Sequence, residues 1–184
     1  FLKIPSPTLQ TVIDAADQFD RTSRENWAGF AQLLHEQGRH SFELSSRYDE
    51  NQQFGDHVTG SVGYSFELQE SLRLVGSFGT AYAAPTFNQL YYPGFGISDL
   101  EPEESKSFEL GLRSSGKNRS LAITFFKTEI DDLIAYESAT SSQANIDKAE
   151  ISGIEVEFKQ QIGSAFALGF DLSAISPKNM SAGA

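Results

Sequence analysis

The chain of 184 residues contains no cysteine, which excludes a disulfide framework and any thiolate metal site. It is short of positive charge: 14 Lys and Arg stand against 25 Asp and Glu, a formal net charge of −11. That balance argues against a phosphate-binding surface, so no nucleic-acid partner is expected. No apolar run approaches the ~20 residues that a membrane-crossing helix needs. This does not exclude a membrane protein, because a membrane β-barrel spreads its apolar surface over alternate positions. The mean hydropathy of −0.32 therefore decides nothing. Also absent are a Gly-x-Ser-x-Gly elbow, a P-loop and a His-Glu-x-x-His pair, and no constellation suits nucleophilic or acid–base catalysis. An enzyme is not expected, and neither is a cofactor. No secretory leader pattern is present. The first residue is Phe1 rather than Met and the last is Ala184; both ends read as cuts through a longer protein.

What is abundant is aromatic residues and period-two alternation. Aromatics make up 12% of the chain, with 15 Phe and 6 Tyr, too many for a disordered acidic chain. Val58, Val62, Tyr64, Phe66 and Leu68 alternate with Thr59, Ser61, Gly63, Ser65 and Glu67. The same alternation returns at Leu72, Leu74, Phe78 and Tyr82, at Phe108, Leu110 and Leu112, at Ile154, Val156 and Phe158, and at Phe166, Leu168, Phe170 and Leu172. It is weaker over residues 42–48 and 121–125, and residues 27–34 are apolar without clean alternation. Period two puts successive side chains on opposite faces of a strand. The pattern predicts about eight strands, each near the ~9–11 residues that cross a bilayer when tilted.

The connections take turns in length. Residues 37–40, 69–71, 115–118 and 161–164 read as tight turns, while 51–56, 85–104, 137–145 and the stretch from Pro177 read as longer loops. Short turns on one side and long loops on the other are the mark of an up-and-down membrane barrel. A soluble β-sandwich, whose alternation looks the same, has no physical reason to collect its long loops at one end. The expected fold is thus all-β, an antiparallel up-and-down transmembrane β-barrel segment of about eight strands from a larger barrel. Tyr48, Tyr82 and Tyr136 near one set of strand ends and Phe66, Phe158 and Phe166 near the other fit two interfacial girdles, although Phe and Tyr are also simply good strand formers.

The polar positions of the strands carry charge: Glu43, Arg47, Arg73, Glu109, Arg113, Glu155, Glu157, Lys159 and Asp171. In a barrel they line a wet interior; in a sandwich they form a solvated face. His35, His40 and His57 have no partner at metal-ligand spacing. The carboxylates Asp131 and Asp132, the group Glu101, Glu103 and Glu104, and the stretch Asp14, Asp17 and Asp20 lack an EF-hand spacing and read as solvated loop residues. No metal site is expected.

Four ordered stretches resemble the barrel domain of TonB-dependent receptors. The first is RYDENQQFGDHVTGSVGYSFEL, from Arg47 to Leu68. The second runs through Gly79-Thr80-Ala81-Tyr82 and Ala84-Pro85-Thr86-Phe87-Asn88-Gln89-Leu90-Tyr91, then Asp99-Leu100-Glu101-Pro102-Glu103 with Ser105, where Asp stands in place of the family's Asn. The others are Ile130-Asp131-Asp132-Leu133-Ile134 and Ile151-Ser152-Gly153-Ile154-Glu155. The compact insert Tyr91-Tyr92-Pro93-Gly94-Phe95-Gly96 is similar to the cobalamin-importing branch. The resemblance implies a barrel of about 22 strands with a plug inside it, seated in the outer membrane of a Gram-negative bacterium and contacting its lipid. It implies uptake energised by TonB through an N-terminal region outside this sequence, and cobalamin or another large scarce nutrient as the ligand. A siderophore receptor of the same superfamily and a passive porin-like barrel are the alternatives. Residues 1–184 then read as one partial barrel domain, with the plug and the C-terminal strands lying elsewhere. On this reading the loop residues Thr86, Asn88, Gln89, Tyr91, Tyr92 and Phe95 offer hydrogen bonds and flat apolar faces to a ligand. The competing expectation is that Phe87, Leu90 and Phe95 pin the loop to the barrel rim.

Overall fold

The computed structural model describes residues 23–92, 95–137 and 142–180. Pro93 and Gly94 of the insert and the acidic stretch at Asp14, Asp17 and Asp20 lie outside the described residues. The described chain forms one antiparallel sheet of eight strands in sequential order. The strands are β1 (Asn26–Gln37), β2 (His40–Asn51), β3 (Gly55–Gln69), β4 (Leu72–Ala83), β5 (Glu103–Ser115), β6 (Arg119–Glu137), β7 (Ser142–Ile162) and β8 (Phe166–Asn179). One short helix, α1 (Phe87–Tyr91), lies between β4 and β5. The sheet is a meander, with β1 and β8 as its edges.

The register converts the alternation into two distinct faces. His40, Phe66, Leu74, Leu112, Ile123, Val156 and Leu172 form one cross-strand row. All but His40 are apolar, and the His40 ring packs against Phe66 with 4.8 Å between centroids. The intervening rows are polar. Ser45, Ser61, Gly79, Ser107 and Thr128 are linked in register. The Ser45 and Ser61 hydroxyls lie 2.7 Å apart and those of Ser107 and Thr128 3.0 Å apart. Paired residues share a face, so the pairings of Glu67 with Arg73, Arg73 with Arg113 and Glu157 with Asp171 put these charges on the polar side. The irregular pattern of β1 now has a cause: Phe30 and Leu34 pair with Arg47 and Glu43, so both stand on the polar face.

The rows are staggered relative to the turns. The row that starts at His40, the first residue of β2, reaches β8 at Leu172, six residues along from Phe166, the first residue of β8. A consistent slip of this kind is the shear of strands that tilt in a barrel wall. At the other limit of the apolar face the same slip appears. The row Leu33, Leu44, Val62, Phe78 and Phe108 continues into Lys127, Ser152 and Ser176. Beyond it stands a ladder of ion pairs: Lys127 with Glu129 (2.9 Å) and Glu150 (3.0 Å), Lys148 with Glu129 (2.9 Å), and Lys178 with Glu150 (3.7 Å). The apolar band is thus bounded by charge at its upper limit over β6 to β8.

Connections at one end are tight: residues 38–39, 70–71, 116–118 and 163–165. Gly38 (φ 60°) and Gly163 (φ 63°) supply the left-handed backbone that these reversals use, which a Cβ disfavours. At the other end the lengths differ from expectation. The 51–56 loop shrinks to residues 52–54, because β2 and β3 pair as far as Asn51 and Gly55. Most of the described part of the expected 137–145 loop is strand, because β6 extends to Glu137 and β7 begins at Ser142. The stretch from Pro177 is strand rather than loop: Pro177 pairs with Ile151 and β8 runs to Asn179. Proline is compatible with the β7–β8 ladder there, because the bond from the Met180 N–H to Lys148 O sets a phase in which the N–H of position 177 faces away from β7. The asymmetry of the two ends is therefore carried by one long connection, residues 84–102, and one long hairpin.

Burial is concentrated at that same end. Among the described residues the buried apolar side chains are Leu90, Leu100, Ala149 and Pro85, and the buried polar ones are Asp49 and Asn51. Large apolar residues on the sheet stay open, including Phe125 at 54% and Leu172 at 62% exposure.

Candidate functional site

The connection 84–102 folds into a compact cap. Thr86 is the N-cap of α1 and forms a capping box: its Oγ1 accepts from the Gln89 N–H, while its own N–H donates to Gln89 Oε1 at 2.7 Å. This reciprocal pair satisfies donors that the first turn of a helix otherwise leaves open. The chain then doubles back, with the Gly96 N–H donating to Tyr92 O (2.7 Å) and the Ile97 N–H to Gln89 O (2.8 Å). Gly96 is required by this reversal, since a Cβ there would lie 2.6 Å from Leu90 O and from Tyr92 N. Leu90, at 2% exposure, and Leu100, at 4%, are the apolar anchors of the cap.

Three further ties hold the cap to the strands. Gln53, in the β2–β3 turn, donates from Nε2 to the Tyr91 hydroxyl at 2.8 Å. Arg24 donates to Pro85 O at 3.0 Å, and its guanidinium lies 5.3 Å from the Phe87 ring centre and 5.5 Å from that of Phe54. Asn145, on β7, accepts from the Glu101 N–H at 2.9 Å and donates back to Glu101 O at 3.0 Å.

The six loop residues expected at a ligand divide into two groups. Thr86, Gln89 and Tyr91 are engaged in holding the cap together. Asn88, Tyr92 and Phe95 line a pocket of about 270 Å³ together with, among the described residues, Tyr136, Ser142 and Gln143 from the β6–β7 hairpin. Of the residues expected as rim pins, Leu90 is buried, Phe87 is half-buried under Arg24, and Phe95 is 63% exposed. Tyr92 and Phe95 stand with ring centres 6.1 Å apart, and Tyr136 is 66% exposed. Gln143 adds a buried Oε1 with no hydrogen-bond partner. Among the described residues the pocket therefore combines in its lining three aromatic side chains, two amides and a hydroxyl. Its volume lies below the ~300–1,000 Å³ of sites that enclose a small ligand, so it fits an edge or a substituent of a larger molecule.

The hairpin half of this pocket was not legible as such. Tyr136 reads as a girdle residue from sequence, and Gln143 as part of a loop. Only the register, with Tyr136 opposite Gln143, brings the two together. Three of the carboxylates read as solvated loop residues also have structural partners. Glu103 Oε1 accepts from the Ile134 N–H at 2.7 Å, Asp131 lies 3.9 Å from Lys148 Nζ, and Glu104 lies 3.6 Å from His57 Nδ1. Tyr82, expected at a girdle, is half-buried with its ring stacked 3.6 Å from that of His57 and its hydroxyl buried without a partner.

The sheet, its stagger and the capped connection place the chain among outer-membrane-type β-barrel domains. Residues 3–179 match the family model described as TonB dependent receptor-like, beta-barrel, and the chain belongs to that family. It is 33% identical over 153 residues to a vitamin B12 transporter, BtuB, of Photobacterium profundum, a match covering 79% of this chain and 25% of the relative. It is 34% identical over 146 residues to the vitamin B12 transporter BtuB of Vibrio vulnificus, covering 77% of this chain and 24% of the relative. The chain thus spans about a quarter of the length of these relatives. Among solved structures it is similar to the siderophore receptor PirA from Pseudomonas aeruginosa, with a TM-score of 0.74 at 19% identity over 84% of this chain and 32% of that one. It is also similar to the copper transporter OprC, with a TM-score of 0.70 at 20% identity over 85% of this chain and 29% of that one. At these identities the structural likeness shows the fold alone.

Proposed function

We propose that this chain is part of the wall of an outer-membrane receptor that captures a large, scarce nutrient from outside the cell and imports it with energy delivered through TonB. The apolar face meets lipid, the polar face lines the lumen around a plug, and the capped connection stands on the extracellular side. The observation that carries the reading is the apical pocket. It lies at the end of the sheet with the longest connection, and it joins Asn88, Tyr92 and Phe95 to Tyr136, Ser142 and Gln143 across two separate segments.

Cobalamin is the preferred ligand. The relatives at 33% and 34% identity are vitamin B12 transporters, and the chemistry of the pocket suits a corrin. Flat aromatic faces pack against a macrocycle edge, and the Asn88 and Gln143 amides pair with the amide side chains at its rim. The complete gene, placed in a cobalamin-auxotrophic strain that lacks its own cobalamin receptor, is expected to restore growth on limiting cyanocobalamin only when TonB is intact. No response to cyanocobalamin there, with rescue by ferric chelates of an iron-starved strain that lacks its siderophore receptors, would replace the vitamin by a siderophore. Rescue independent of TonB would replace the receptor by a passive barrel.

A further inference from the structure

The β6–β7 hairpin outgrows its neighbours. Pairing of β5 with β6 ends at Glu104 and Asp131, and pairing of β7 with β8 ends at Ala149 and Asn179, with one more bond from the Met180 N–H to Lys148 O. Residues 132–137 and 142–147 therefore stand above the sheet as a two-stranded ribbon that pairs, among the described residues, with no further strand on either side. A two-stranded ribbon has little stability of its own in water, so what leans on it decides where its tip sits. The tip carries Tyr136 and Gln143, half of the pocket wall.

Two side chains span the gap, and Asn145 makes more of the bonds. The Asn145 amide accepts from the Glu101 N–H and donates to Glu101 O, the two-way exchange that a strand neighbour would make. The same amide donates to Asp132 O at 2.6 Å. Asp132 has a φ of 57°, the left-handed region that few residues other than glycine adopt, and it sits where the ribbon leaves the sheet. Two residues further, the Ile134 N–H donates to the Glu103 carboxylate at 2.7 Å. The exit of the cap and the base of the ribbon are thus joined across a kink, through Asn145 above all.

We propose that Asn145 is the positioning residue of the apical pocket: it locks the cap and the β6–β7 ribbon into one unit and so sets the separation of the two walls that a ligand meets. This rests on the pocket being the ligand site. Asn145 does not line the pocket, so it acts on the ligand only through Asn88, Tyr92 and Phe95 on one wall and Tyr136 and Gln143 on the other.

The test uses the complete receptor in outer-membrane vesicles, with Asn145→Ala, read by two independent arms. In the first, amide hydrogen exchange without ligand is expected to speed up together in residues 87–100 and 133–146, with β2 to β4 unchanged. In the second, cyanocobalamin binding is expected to weaken about tenfold, the scale of one or two lost hydrogen bonds, through faster dissociation at nearly unchanged association. A role in barrel folding alone would instead lower the amount of receptor and leave the dissociation rate of the remainder as it was. If Asn145→Ala does not assemble, Asn145→Asp carries the same prediction at smaller size, since it keeps the bond from Glu101 N–H and loses both amide donations. Faster exchange in one wall only, or an unchanged dissociation rate with both walls loosened, overturns the proposal. Should the wild-type receptor bind no cyanocobalamin, the cobalamin reading fails, and the exchange pattern alone then supports or overturns the coupling of the walls.

Discussion

The cap over residues 84–102 and the sheet beneath it are built on opposite principles. The cap buries Pro85, Leu90 and Leu100 against its own chain and closes its helix with Thr86 and Gln89. The sheet leaves Leu33, Leu44, Phe125 and Leu172 all more than half exposed. A lone antiparallel sheet can keep one face apolar only if something else covers it. The cap therefore carries its packing energy within this chain, whereas the sheet takes most of its own from what lies against its faces and edges. Both edge strands, β1 and β8, are exposed along their whole length, and edges of this kind pair with whatever strand is offered. In a closed barrel the next strands do that; alone in water the chain is expected to aggregate.

Substitutions can break this contrast in a graded way. Phe125→Arg, in the apolar band, is expected to cost up to about 4 kcal/mol when the complete barrel is folded into lipid vesicles, measured as the shift in its urea unfolding curve. Leu90→Ala is expected to cost about 3 kcal/mol by opening a cavity, but locally. Protease cleavage within the cap should rise while the unfolding curve of the barrel stays in place. Thr86→Ala removes half of the capping box and is expected to loosen the cap by about 1 kcal/mol, again seen in cleavage of the cap. Glu155→Gln, on the polar face, is expected to change the unfolding curve by less than about 0.5 kcal/mol. A large global effect of Leu90→Ala, or a negligible one of Phe125→Arg, would erase the distinction between the two regions.

The legibility of the sequence follows the same division. Alternation depends on neighbours two positions apart, so the sheet, its two faces and its tight turns could be read directly from stretches such as residues 58–68. Loop lengths were read less well, because polar residues such as Gln143 and Asn145 look like loop whether or not a partner strand lies opposite. Here Tyr136 pairs with Gln143 and Ala135 with Ala144, and the ribbon forms. Pro177 misled in the same way, since proline signals a break unless its missing N–H points away from the strand it pairs with. Half of the loop residues singled out for a ligand are tied into the cap. Thr86 with Gln89 is a capping box that its spacing announces, whereas the bond from Gln53 to Tyr91 joins residues 38 apart and has no local signature. The second wall of the pocket has none either, because it exists only through the register of β6 with β7.

The central claim is that one face of this sheet meets lipid and the other a wet lumen, and β6 tests it most directly. The chain has no cysteine of its own, so, with any cysteine elsewhere in the receptor replaced, a single cysteine placed in turn at Ser120, Leu121, Ala122, Ile123, Thr124 and Phe125 reports from one position at a time. In the complete receptor in bilayers, labels at 121, 123 and 125 should be quenched by a lipid-soluble agent and shielded from an aqueous one, with the reverse at 120, 122 and 124. Aqueous access at 121, 123 and 125, or no alternation along the strand, would contradict the account.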